Sequence, residues 1–393
     1  MRSTYIERIQ KLSEKLSDPA LAERARKINS NTFSRNRKMP LKDILLCCLS
    51  KKGLTTTLEL RNYFIQKDVP SMKMSKQGYL QQRKRFGKSN NQHSELGQVR
   101  ALVSGMYDIL NHFYLDIEIS HISTSETELA KKNLHHLTHI DIKQPVLAIF
   151  DRGYPSMEFI DFLETEKINY LFRISSNDYK FERRNMKSTD ETVILRHTYQ
   201  RLEKIRKKHP ERLERMKEKG YTNTRIMTSM LPSGNELTLM TNLPFEFSQK
   251  QLEDLYYQRW EIEKKYHTLK NKMKFESVTG KSTIYVDQDF RAQVLVYNIL
   301  QDIRKEADEE VSVRGRKKGS KYPMHTNENI AIGLFKEQMI KLILEKNAVR
   351  RGQLLFKLQT EMEEYILPQR NLPGKERKKN LSNKYKNNQK NSF

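Results

Sequence analysis

The sequence predicts an α/β fold with a partly parallel sheet, preceded by a region of helices. Three patterns carry that expectation. Apolar residues recur at three- to four-residue spacing through residues 1–85, the period of helices that bury one face. Val146-Leu147-Ala148-Ile149-Phe150 is a short continuous apolar run of the kind buried on both faces of a sheet. A helical stretch from Met157 to Glu166 then leads into a second strand, Tyr170 to Ile174, and this alternation of strand, helix and strand argues for parallel pairing.

Taken in order, Ile6, Ile9, Leu12 and Leu16 give the first helix its apolar side, and Leu41, Ile44, Leu45 and Leu49 give a second. The two cysteines, Cys47 and Cys48, are adjacent within that second block. They read as buried packing residues, since two neighbours build neither a disulfide framework nor a thiolate zinc site. Leu58 to Ile65 forms a further helix, Val69-Pro70-Ser71 a turn, and Ser75 caps a helix over Gln77 to Arg85. This pair, ending in the basic run Arg83-Lys84-Arg85, fits a DNA-binding helix-turn-helix and an ordinary helical hairpin equally well. Val99 to Tyr107 and His112 to Ile119 are rich in β-branched and aromatic residues and predict a β-hairpin connected through Asp108 to Asn111. Ser125 and Glu128 have capping-box spacing for a helix whose apolar side is Leu129, Leu134 and Leu137.

Beyond the second strand the alternation breaks. A charged helical block, Arg201 to Lys219, lies between strand-like Thr192 to Arg196 and Arg225 to Met230, with Leu237 to Thr241 following, so residues 177–245 read as an insertion. A long helix over Ser248 to Lys274 and helices around Phe290 to Ala307 and Asn327 to Leu344 complete the fold. The expected organisation is a helical DNA-binding region over 1–85, core segments over 95–176 and 246–310 flanking the insertion, a C-terminal helical region over 311–369 and a basic disordered tail over 370–393.

Lys and Arg number 73 against 48 Asp and Glu, a formal net charge of +25. That balance points to a polyanionic partner and away from an ordinary metabolic enzyme. No apolar run approaches the roughly 20 residues that cross a bilayer, and the N-terminus carries no apolar signal core. A cytoplasmic, nucleoid-associated protein without a membrane partner is expected. His93, His121, His135, His136 and His139 include an adjacent pair but no companion ligand set at zinc spacing, so surface or DNA-facing roles are expected for them.

The chemistry concentrates on the long helix. Tyr256, Arg259, Glu263 and Lys270 are spaced by three, four and seven residues, and at about 100° per residue they fall within roughly 60° of one another. The apolar seam of the same helix is Leu252, Leu255, Ile262, Tyr266, Leu269 and Met273, with Arg259 at its missing position. The polar stripe therefore borders the core, where a carboxylate must be paired or metal-bound. Asp151 ends the apolar strand and is followed by Arg152-Gly153-Tyr154; the carboxyl ends of strands are where open α/β sheets place ligand sites. Together, Asp151 and Glu263 offer hard oxygen ligands for Mg²⁺ or Mn²⁺, with Arg259 and Lys270 ready for phosphate.

At this point the sequence resembles the DDE transposases of the bacterial insertion sequence 4 family. Tyr256-x2-Arg259-x3-Glu263-x6-Lys270 is similar to the Y-(2)-R-(3)-E-(6)-K signature of that family, and Phe150-Asp151-Arg152-Gly153-Tyr154-Pro155 to its second-Asp motif. The resemblance runs from about residue 75 to 305. It implies a ribonuclease H-like core with a mainly β insertion, Mg²⁺ or Mn²⁺ as cofactor, and DNA (the element's terminal inverted repeats and the target) as partner of a homodimer assembled on it. Asp151 and Glu263 would be the second Asp and the Glu of the catalytic triad. Tyr256, Arg259 and Lys270 would bind the transposon end, and Trp260, the only Trp, either stacks on a displaced base or packs in the core.

One part of the pattern is missing. The family's first Asp is expected on the first core strand, in an apolar-strand-then-Asp-Gly-Ser context before the hairpin, yet no Asp lies between Asp68 and Asp108. Neither of those two has the right context, and Glu95 is a poor third candidate. The expectation is an in-frame deletion near residues 85–86 that removes the first strand of the core together with its acid, leaving unpaired ladder groups and little or no cleavage. The alternative function is a noncatalytic DNA-binding protein that occupies element ends and inhibits intact transposases.

Overall fold

In the computed structural model the hairpin forms as expected, with β1 (Ala101–Asp108) and β2 (Phe113–His121) making a two-stranded sheet among the described residues. His112 takes φ 63° at the connection, and Asp108 Oδ1 accepts from Leu110 N at 2.9 Å. The residues described are 4–28, 38–84, 101–137, 139–140, 142–280 and 282–369. Arg85, His93, Glu95 and the basic tail over 370–393 lie outside them.

The apolar run becomes β3 (Leu147–Phe150), which pairs in parallel with β4 (Asn169–Arg173), Leu147 opposite Asn169 and Phe150 opposite Phe172. Between them runs the helix Met157–Thr165, capped by Ser156, whose Oγ accepts from Phe159 N at 3.2 Å. Phe159, Ile160 and Leu163 of this helix pack with Tyr170 and Phe172 of β4 in one buried cluster.

Residues 177–245, read from the sequence as an insertion, carry strands β5 (Asp190–Arg196), β6 (Tyr221–Met230) and β7 (Glu236–Thr241), which continue the sheet of β3 and β4 in the order β3-β4-β7-β6-β5. β7 lies antiparallel on β4 with Leu171 opposite Thr241, so the apolar residues Leu239 and Met240 join the two buried clusters that flank the sheet. The charged block 201–219 is two helices, Tyr199–Lys208 and Pro210–Lys219. Pro210 cannot continue the first and suits the first turn of the second.

Two further expectations change. β3 is not buried on both faces: its four residues are all partly exposed, because among the described residues only β4 pairs with it and its outer edge is open. The long helix over 248–274 is broken into Gln249–Tyr257, Trp260–His267 and a π-helical turn, Thr268–Lys272. At the break the bonds tighten to three-residue spacing, with Gln258 N donating to Leu255 O and Arg259 N to Tyr256 O.

The chain separates into two compact units. One comprises residues 101–110 and 115–264; the other comprises 1–100, 111–114 and 265–393. The second unit is helical at its core. A 35-residue helix, Thr283–Lys317, buries Tyr297, Leu300 and Ile303 and packs against Leu41–Leu49 and Ala348–Glu364. Cys47 and Cys48 are buried as expected, with Cys48 Sγ 3.3 Å from the Tyr79 hydroxyl. No helix among the described residues is long and apolar enough to cross a membrane.

Candidate active site

Asp151 stands directly after β3, its position fixed by a turn in which Arg152 N donates to its Oδ1 at 2.7 Å and Tyr154 N to its backbone carbonyl at 3.3 Å. Facing it is the end of the helix Gln249–Tyr257, which starts at a full capping box between Ser248 and Gln251. Leu252 and Tyr256 of that helix are buried against Leu171 and Leu239 of the sheet. The helix is thereby anchored, and the Tyr256 hydroxyl reaches Asp151 Oδ1 at 3.4 Å.

The tightened turn after Tyr257 points Arg259 back toward the strand end. Its Nη1 lies 2.8 Å from Glu263 Oε1 and 3.9 Å from Asp151 Oδ2. The guanidinium thus sits between the two carboxylates. It is largely covered, with 12% of its side chain exposed, whereas Asp151 and Glu263 expose 50% and 44%. Burial works against the charge of Arg259, but the bond to Glu263 and the proximity of Tyr256 and Asp151 outweigh it and hold the group firmly protonated. Its Nε is buried without a hydrogen-bond partner among the described residues. Burial also raises the Tyr256 phenol, with Arg259 opposing and Asp151 reinforcing, and pushes Tyr154 up to about 12. Both phenols stay protonated near neutrality, and that of Tyr256 donates to Asp151.

The other residues singled out in the sequence differ in burial and in their partners. Trp260 is 43% exposed, with the Arg259 guanidinium 5.1 Å from its ring centre; it is not a core residue. Tyr256 is buried, so only its hydroxyl reaches the site. Lys270 lies in the π turn, belongs to the other unit and pairs with Glu276 at 2.9 Å. Arg83 is fully buried, its guanidinium 2.8 Å from Asp289 and bonded to Gln288. An ion pair inside the helical unit replaces the surface role expected of it, while Lys84 next to it is exposed.

Two clusters escaped the sequence reading, the first involving His136, a histidine expected to have no ligand companions. Asp116, Glu118 and His136 bring their donor atoms within 4.8 Å of one another, with His136 Nδ1 2.8 Å from Asp116 Oδ2. The readable signal was Asp116-Ile117-Glu118, two acids two residues apart on one face of a strand. Glu128, Glu158 and His209 form the second, but Lys131 at 2.7 Å and Arg212 at 3.0 Å already neutralise Glu158.

A strand-end Asp and a helix Glu bridged by an arginine form an anionic pair with one cation of their own, at an exposed sheet end. Such a site can take hard cations or, through the arginine, phosphate. No curated protein matches the chain. Residues 67–299 match a family model described as a transposase DDE domain, well over half of the 393 residues, and the chain belongs to that family.

Proposed function

We propose that the chain is a transposase of the insertion sequence 4 type that binds the terminal repeats of its element as a homodimer, and that its own cleavage and strand transfer are impaired. One observation carries the second half. Among the described residues no group of three acidic or imidazole ligands forms around Asp151 or Glu263, and the cation between those two carboxylates is Arg259.

DDE transposases act on DNA with a divalent metal. Such an ion, when bound, activates water and neutralises the leaving oxygen. Asp151 and Glu263 are suitable oxygen donors for Mg²⁺ or Mn²⁺, but two carboxylates that share a guanidinium fall short of a site for a pair of ions. The set present does not fit the full metal centre, which also favours the alternative reading: a protein that occupies element ends without cutting them and blocks intact transposases by mixed assembly.

DNA binding does not need the missing ligand. Arg259 has an unused buried N–H, Trp260 presents an exposed ring, and the overall charge is +25. In a gel shift, a duplex carrying the ends that flank the gene is expected to bind more tightly than a scrambled duplex. Arg259→Ala is expected to weaken binding and to reduce the slope of log affinity against log salt by about 1, the loss of one phosphate contact. Equal affinity for both duplexes across the salt range would contradict end recognition and leave a general polynucleotide binder.

A further inference from the structure

We propose that a basic cleft at the end of the sheet seats the DNA backbone beside the Asp151 and Glu263 site, as a phosphate subsite made of other residues. The cleft has a volume of about 530 Å³ and is lined by Lys180, Arg183, Arg184 and Lys187, with Glu236 as its one acid. Arg183 pairs with Glu236 and donates to Thr238 Oγ1 at 3.1 Å, so these two charges cancel. Lys180, Arg184 and Lys187 are exposed and pair with no carboxylate among the described residues.

The acids nearest in the chain are all held by other groups. Residues 176–191 contain four, Asp178, Glu182, Asp190 and Glu191. Asp178 accepts from Ser175 N at 2.8 Å, Glu182 is buried against Arg201 at 2.8 Å, and Asp190 binds Arg225 at 2.6 Å. Glu191 accepts from Lys187 N at 2.7 Å, which fixes the turn that carries Lys187. Tyr179 and Met186, on either side of the helix Lys180–Arg184, pack on the buried cluster of the sheet. The three cations therefore stand together on an anchored frame without a counter-charge, an arrangement that attracts a polyanion.

The topology puts this cleft at the same edge of the sheet as Asp151. β3 and β4 are parallel, so the residues that follow each of them, Asp151 and Ser175, emerge at one edge. Glu236 opens β7, which lies antiparallel on β4 with Leu239 opposite Arg173, and so reaches that edge too. Strands lie about 4.8 Å apart, which sets the cleft about 10–15 Å from Asp151, two to three strands along. DNA presents one phosphate per about 3.4 Å of axis on each strand, so a backbone held at Asp151 passes the cleft a few phosphates later. The group recognised is a phosphate; that it belongs to DNA rests on the transposase reading above.

The test uses the full chain with an end duplex and a scrambled duplex, and replaces Lys180, Arg184 and Lys187 together by alanine. Arg316, Lys317 and Lys318, exposed cations of the other unit, replaced together by alanine give a control with the same loss of charge. At about 0.1 M salt the cleft variant is expected to bind at least about tenfold more weakly, and its slope of log affinity against log salt to fall by about 2–3. The control is expected to lose at most about twofold, since exposed charges beyond a Debye length are screened. If the cleft variant melts early, Lys187→Ala carries the comparison, with a slope loss of about 1. Duplexes in which one phosphate at a time is a neutral methylphosphonate then place the contact. Replacement a few phosphates from the end should weaken the parent protein and leave the cleft variant unchanged. Equal losses in the two triple variants, or no position at which the phosphonate effect disappears with the cleft cations, would overturn the subsite while end recognition stands. Inorganic pyrophosphate that raises the melting temperature of the parent but not of the cleft variant, with equal duplex affinities, would give the cleft to a free polyphosphate and overturn its assignment to DNA. Equal binding of end and scrambled duplexes by the parent counts against the transposase reading alone, because a backbone contact needs no base sequence.

Discussion

Replacing Asp289 by alanine is expected to lower the unfolding free energy by about 3–5 kcal/mol, the cost of removing one partner from a buried ion pair. Asp289 is 1% exposed and lies 2.6 Å from Lys51 Nζ. It also accepts from Thr279 N at 2.8 Å. Arg83 Nη2 approaches its Oδ1 to 2.8 Å, in a contact poorly aligned for a hydrogen bond. Alanine would leave Lys51 and the fully covered Arg83 inside the helical unit with no counter-charge. Burial raises the Asp289 pKa, but Arg83 and Lys51 outweigh it and hold the carboxyl below its ordinary value. The stability it contributes is therefore complete above the unfolded pKa of about 3.9 and is lost as pH falls through the depressed folded value. Guanidinium denaturation at pH 7 checks the first part, and acid titration of the midpoint the second. A loss under 1 kcal/mol would show that the pair is not closed as described.

Stability is expected to rise with pH at Lys336 too, but in a higher window and because a buried cation is neutralised. This side chain is fully buried and donates to Lys51 O at 2.5 Å and Gln293 Oε1 at 2.8 Å. Burial lowers its pKa to about 7, with Glu59 opposing and Lys51 and Lys52 adding to the fall. Between that value and the ordinary lysine value the unfolded chain holds a proton that the folded chain does not, so stability rises with pH across that window. Below it both states are protonated, and the cost of the buried ammonium is present in full. The rise should be on the order of 4 kcal/mol from pH 7 to above 10. Lys336→Met removes the titrating group, so its stability is expected to stay flat where the parent protein gains. Denaturation midpoints at pH 6, 8 and 9.5 measure the difference; parallel curves for the two proteins would contradict the assignment.

The elements legible in the sequence were those whose pattern is local. The hairpin, the parallel pair β3 and β4 and the helix between them follow from alternation, apolar runs and a serine cap, and they form within a few residues of the expected bounds. Where tertiary pairing decides, the sequence was silent. The strands of 177–245 carry no mark of belonging to the main sheet, since only the register of β7 on β4 puts them there. The break at Gln258 and the π turn at Thr268–Lys272 also leave no trace in a stripe of well-spaced residues. Arg83 illustrates the reverse error: a basic run looks like a solvated face, and only Asp289, over two hundred residues later, shows that one of its members is buried. Asp151 and Glu263 were found because spacing and strand-end position are both sequence properties. That Arg259 stands between them was not.

Strand nicking tests the account most directly. The purified chain is incubated with a duplex carrying the ends that flank its gene, in Mg²⁺ and in Mn²⁺, with Glu263→Gln in parallel, and binding and nicks are scored on the same samples. The account predicts that both proteins shift the duplex and that neither nicks it above background. Nicking by the parent protein that Glu263→Gln abolishes would contradict it, and would mean that another acid, with Asp108 the first to replace, completes the site.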